Sequence, residues 1–204
     1  YSWTMKLISI DTTGEILWES IVIENDTSYN YSTFGLLQLP DSSFFMSGSY
    51  HYSDYNYKPF MARVSATGEL LYTRVHELPW PEGSAMVNSI CPEGNGNVMN
   101  CAVFTPNPVA MNGIWMIKTN PNGDTLWTKT ITLEGTSYGP MSVTLCSDGG
   151  YTVAGNYYAN FTPTSVESGA FIMRTDSLAN PLWTRTYASD KNGFFYEIIE
   201  ASDQ

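Results

Sequence analysis

The stretch IDTTGEILWES, Ile10–Ser20, reads as a tight turn between two short apolar runs. Its outline returns as VSATGELLYTR (Val64–Arg74), TNPNGDTLWTK (Thr119–Lys129) and TDSLANPLWTR (Thr175–Arg185). Gly14, Gly68 and Gly123 are 54 and 55 positions apart, and Trp18, Tyr72, Trp127 and Trp183 are 54, 55 and 56 apart. In such a turn the Gly or Asn supplies the positive φ that a hairpin needs, while an Asp, Asn or Ser at its start bonds the turn backbone. The aromatic residue four positions after the Gly is expected on an outer strand. There it would be packed between neighbouring copies, as architecture rather than a ligand contact, and worth about 3–5 kcal/mol against Ala.

A second landmark keeps the same beat: LPDSSFFMSG (Leu39–Gly48), CPEGNGNVMNC (Cys91–Cys101) and CSDGGYTVAG (Cys146–Gly155), with ASDQ opening a further copy. A period of about 55 residues falls in the range of propeller and solenoid units. Within the third copy four runs, GIWMIKT, TLWTKTI, MSVTLC and YTVAGNY, are separated by NPNGD, TLEGTSYGP and SDGG. Gly and Pro recur too often for long helices, and no window holds a sustained 3.6-residue apolar spacing. Four strands per repeat of this length is the pattern of a β-propeller blade; a solenoid coil is shorter and does not pair tight turns with long loops. The expected fold is therefore all-β, a β-propeller of about fifteen strands. It has a partial blade at 1–22, blades at about 32–75, 86–132 and 140–187, and the start of another at 194–204. About four blades are seen, and a segment of a larger ring is expected, because Tyr1 begins in what reads as mid-strand.

Composition bounds the partners. A chain that is 43% hydrophobic and only 14% charged is globular material. Its net charge of −11 repels phosphate backbones and anionic lipid, which argues against nucleic acid and membrane surface. No apolar run is long enough to span a bilayer as a helix. The three cysteines, Cys91, Cys101 and Cys146, cannot all pair. Cys91 and Cys146 close equivalent strands and read as small buried fillers. With no C-x-x-C pair, Cys/His cluster or calcium-loop spacing, neither metal nor cofactor is expected.

The turn-and-Trp pattern followed by SDGGYTVAG resembles the β-propeller repeats of secreted Bacteroidetes proteins, D-x-x-G-x-x-x-W then S-D-G-G-Y-x-x-A-G, over essentially the whole chain. NPNGDTLW with SDGGYTVAG matches best; Tyr72, PEGNGN and LANP are departures. The resemblance implies an exported or cell-surface bacterial protein. The Trp hairpin is also similar to the docking repeats of quinoprotein dehydrogenases and of propellers used as assembly scaffolds, though the turn here is one residue shorter. A sialidase-like site needs an arginine cluster. Here Arg63, Lys118 and Arg174 share one repeat position and Arg74, Lys129 and Arg185 another, which leaves only Lys6, Lys58 and Lys191 outside the scaffold.

Long connections fall on the edge opposite the short turns, and long loops on a rigid frame are where binding resides. They are rich in aromatics, of which Tyr52, Tyr55, Tyr57, Trp80, Tyr158 and Phe161 are the candidate contacts to a protein or glycan. Tyr50 and Tyr157 read as strand residues. The two histidines, His51 and His76, lie apart and read as solvated or capping. Asp26, Asp54, Glu77, Glu82, Glu134 and Glu167 include no evident catalytic pair. The expectation is a non-enzymatic binding or scaffold module, with no catalytic residues and part of a larger chain or complex. The alternative is a carbohydrate-active enzyme whose catalytic residues lie partly outside this stretch.

Overall fold

A computed structural model describes residues 3–26, 30–51, 56–80, 82–107, 111–162, 165–188 and 193–201. All its regular structure is strand, in fourteen antiparallel elements. A two-stranded sheet holds β1 (Trp3–Ile10) and β2 (Ile16–Asp26). A four-stranded meander follows: β3 (Asn30–Gln38), β4 (Phe44–His51), β5 (Tyr57–Val64) and β6 (Leu70–Val75). The next is β7 (Ser84–Pro92), β8 (Val98–Thr105), β9 (Gly113–Thr119) and β10 (Thr125–Ile131). The last is β11 (Thr136–Leu145), β12 (Tyr151–Ala159), β13 (Glu167–Thr175) and β14 (Pro181–Ala188).

The sheets are stacked face to face, with one apolar core at each junction. Leu7, Val22 and Ile23 meet Met46, Phe60 and Val64 between the first two sheets. Phe45 and Met61 meet Val87, Phe104 and Trp115 at the second junction. Met99, Ile114 and Met116 meet Tyr138, Val153 and Phe171 at the third. Strands covered on both faces need no polar alternation, which is why GIWMIKT reads as a continuous apolar run and is buried along almost its whole length. Each fourth strand lies at a sheet edge; β14 is exposed at every residue and β6 at all but one, while β10 buries Ile131. The first strands lie side by side, β7 next to both β3 and β11. Their spacing is set by serine hydroxyls: Val143 N–H donates to Ser89 Oγ at 3.1 Å, and Ile198 N–H donates to Ser142 Oγ at 3.2 Å. Ile198 thus meets β11 as Val143 of β11 meets β7.

The seven tight turns, which join β1 to β2 and the first to second and third to fourth strands of the other sheets, share one five-residue form. The N–H of its fourth residue donates to the carbonyl of the first, and the first N–H donates to the fifth carbonyl, as in Gly14 to Asp11 and Asp11 to Glu15. The fourth residue has positive φ in every case: Gly14, Ser42, Gly68, Gly96, Gly123, Gly149 and Ala179. Ala179 takes the conformation at φ 59° where the LANP turn lacks its glycine. The Asp11 and Asp176 carboxylates each accept from the backbone two and four residues on, and Asn120 Oδ1 does the same. All these turns lie on one edge of the stack, and the connections between the second and third strands of each sheet, and between sheets, lie on the other.

Candidate functional site

The repeated aromatic side chains sit at the junctions. A methyl built on Gly68 would come within 2.8 Å of the Trp18 ring, and one on Gly123 within 2.7 Å of Tyr72. Each ring therefore lies against the turn of the next sheet. Trp127 packs against the cluster that includes the fully buried Ala179. Trp183, on the last sheet, is 46% exposed. The basic residues divide as their two repeat positions suggest. Arg63, Lys118 and Arg174 each pair with a carboxylate in a hairpin of their own sheet, Asp41, Glu93 and Asp148 respectively. Arg74 and Lys129 instead reach the next sheet, to Asp124 at 2.6 Å and Asn180 Oδ1 at 2.9 Å.

On the long-connection edge the candidates separate. Tyr52 and Tyr55 lie outside the described residues, as does Asp54. Trp80 is half-buried, stacked on Phe104 at 4.4 Å with 4° between the planes, and set edge-on to Trp115. Its indole belongs to the second core. Tyr158 is half-buried in β12, and Phe161 is 48% exposed in the connection after it. Tyr157 is buried and donates to Glu167 Oε1 at 2.7 Å, while Asn160 donates to Oε2 at 2.6 Å. These bonds hold the Glu167 carboxyl below its ordinary range, Tyr157's first. Glu77 is ion-paired with Lys58, the Nζ–Oε2 distance being 2.6 Å. Both carboxylates are thereby engaged in structure.

Tyr57 stands at a different place. Its N–H donates to Ser84 Oγ at 3.1 Å, and it lines a cavity of about 520 Å³ with Glu82, Ser84, Met86, Val103, Thr105, Asn107 and Asn112. Ser84 pairs with Thr105 and Met86 with Val103 across β7 and β8, so these four side chains share one face of the sheet. Met86 and Val103 give an apolar floor. Thr105 Oγ1 and Asn112 Oδ1 are 2.6 Å apart, and Glu82 is exposed at the rim. An aromatic ring, an apolar floor and several hydroxyl, amide and carboxylate groups suit a ligand with one flat apolar face and many hydroxyls.

His76 is half-buried. Burial, and then Arg74, pushes its imidazole below the ordinary value. The three cysteines are free and buried, and burial first of all pushes the Cys91 thiol up to about 12. Among the described residues no three His, Cys, Asp or Glu side chains are gathered as a metal site. One polar group was not anticipated. Buried Glu93 receives the Tyr151 hydroxyl and the Lys118 ammonium, joining the β7–β8 turn and the third strand of one sheet to the second strand of the next. Burial and the Glu93 carboxylate push the Tyr151 phenol upward. Glu93 sits in PEGNGN, where it reads as an ordinary turn acid.

No protein-family model matches the chain, and no curated protein matches it. Among solved structures, the chain is similar to a protein of unknown function from Bacteroides caccae, determined at 1.35 Å. The two are 14% identical with a TM-score of 0.44, over 91% of this chain and 76% of that one.

Proposed function

We propose that the chain is a run of β-propeller blades that acts as a non-enzymatic binding or scaffold module, exported to the bacterial surface or medium. The propeller reading is supported by three features together: consecutive four-stranded meanders, first strands gathered side by side, and fourth strands left at the open margin. In a propeller these are the inner and outer strands of the blades. Export rests on the repeat resemblance alone.

The observation that carries the binding reading is the Tyr57–Glu82 cavity at the long-connection edge. Its chemistry favours a neutral glycan segment: a pyranose face on Tyr57 and the Met86–Val103 floor, hydroxyls toward Thr105, Asn107, Asn112 and Glu82. A carboxylated sugar is disfavoured by Glu82 and by the net charge of −11. The test is binding to an array of neutral oligosaccharides, followed by calorimetry on any hit. Tyr57→Ala and Glu82→Gln should each weaken binding by about tenfold or more, while Phe161→Ala, remote in sequence and on the last sheet, should not. Retained affinity in both cavity variants would place the ligand elsewhere. Binding confined to a protein partner would replace the glycan reading.

A further inference from the structure

The second strands β4, β8 and β12 open on equivalent residues, Phe44, Val98 and Tyr151. Two of the three carry a ring that meets the preceding sheet. Phe44 stands edge-on to Trp18 of the first sheet at 5.6 Å, and the Tyr151 hydroxyl donates to Glu93 of the third. Val98 is buried in one core with Leu39 of the second sheet, but it brings no ring to that junction.

A cavity of about 330 Å³ lies there, between turns of the second and third sheets, walled by Leu39, Pro40, Arg63, Gly94 and Pro121. Two of these residues make it the counterpart of the Tyr151 site. Leu39 is the first residue of its turn, as Glu93 is of the next, and Arg63 has the repeat position of Lys118. Glu93 and Lys118 are the ion pair that receives the Tyr151 hydroxyl one junction further on.

The walls suit a ring. Arg63 donates from Nε to Ser43 Oγ, from Nη1 to the Pro121 carbonyl and from Nη2 to Asp41. Guanidinium N–H bonds lie in its plane, so its face is left for an aromatic ring. Leu39, 3% exposed, is the floor, and a methyl built on Gly94 at the rim meets nothing within 4 Å. The floor offers no acceptor where Glu93 accepts from Tyr151, so a hydroxyl pressed against it would go unpaired. A second hollow on the same seam, lined by Pro92 and Glu93, shares Leu39, Pro40 and Gly94 with the cavity. It gives a chain that carries the ring a track along the surface.

We propose that this cavity takes a phenylalanine side chain from a basic segment of a partner protein. The ring fits the walls and floor, the track fits a peptide, and the net charge of −11 favours basic flanks. The site is on the short-turn edge and does not depend on the Tyr57–Glu82 cavity at the other.

Amide NMR titration of the chain with the capped peptide Gly-Lys-Phe-Lys-Gly tests it, beside peptides of the same charge with Tyr or Leu in place of Phe. The Phe peptide should shift the Leu39, Gly94, Asn95 and Gly96 signals saturably. The Tyr peptide should bind about tenfold more weakly, and the Leu peptide about fivefold. Val98→Phe, which supplies a ring from within, should abolish binding. Leu39→Glu, which repeats the acid of Glu93, should reverse the order of Phe and Tyr. If either variant fails to fold, the order of the three peptides on the parent chain decides by itself. Equal binding of the three overturns the proposal, as does the absence of saturable shifts at those four residues. Unchanged affinity in folded Val98→Phe, or an unreversed order in folded Leu39→Glu, also overturns it. Toluene bound as tightly as the Phe peptide overturns it as well, because the track would then contribute nothing.

Discussion

At the scale of single residues, a repeated glycine has two separable costs, backbone conformation and space. Gly14 and Gly68 share a positive φ, 90° and 88°, but only Gly68 is roofed by an indole. Gly14→Ala is expected to cost about 1 kcal/mol for the left-handed backbone, and Gly68→Ala about 2–4 kcal/mol once displacement of Trp18 is added. Urea denaturation of dilute protein measures the difference; equal losses would mean that the ring does not rest on the turn. The sequence already showed the need for positive φ, because Gly and Asn return at a fixed place in polar turns. It gave no sign that Ala179 would adopt it, since nothing local in LANP distinguishes a strained alanine from a changed turn; the neighbouring sheet imposes the form. Nor could Trp80 be sorted from Tyr57 by sequence. Both are aromatics in long connections, and only the stacking on Phe104 separates a core residue from one lining a cavity.

At the scale of elements, the hairpin turns tie folding to pH. Asp11 is held below the ordinary carboxyl value of 3.8 chiefly by the Thr13 hydroxyl, and Asp176 chiefly by the Asn180 amide. Asp148 is held down by the Gly150 N–H and Asp41 by the Ser43 hydroxyl. A carboxyl whose folded value is depressed stabilises above its unfolded value and loses that contribution as pH falls through the folded one. His76, depressed below 6.5 by burial, acts in the same direction from a higher starting point, because the unfolded chain takes up its proton first. The urea midpoint should therefore decline in two stages, below pH 6.5 and again below pH 3.8. His76→Gln should remove the first stage, and Asp11→Asn with Asp176→Asn should make the second shallower. A midpoint flat down to the second stage would contradict the burial of His76. The outer strands carry a second expectation. Trp127→Ala, at a filled junction, should cost about 3 kcal/mol, and Trp183→Ala, on the open β14, less than about 1 kcal/mol in dilute solution. Thermal unfolding checks both; equal costs would mean that the two rings have the same surroundings.

At the scale of the whole molecule, the period of about 55 residues made the four-stranded unit and its division into a short-turn edge and a long-connection edge legible. Fixed turn chemistry alternates with variable segments, and antiparallel strands must send successive connections to opposite edges. The Glu93–Lys118–Tyr151 contact was not legible, since it joins residues of two sheets whose neighbourhood only the stacking creates. The candidate cavity was legible only as an edge rich in aromatics. The order of the stack rests on one recurring contact, the ring of one sheet lying on the turn of the next. Proton NMR of the glycine Hα signals tests it most directly. The account predicts strong upfield ring-current shifts for Gly68 and Gly123, with through-space contacts to Trp18 and Tyr72, and an unshifted Gly14 in dilute protein. Unshifted Gly68 and Gly123 signals without those contacts would contradict it.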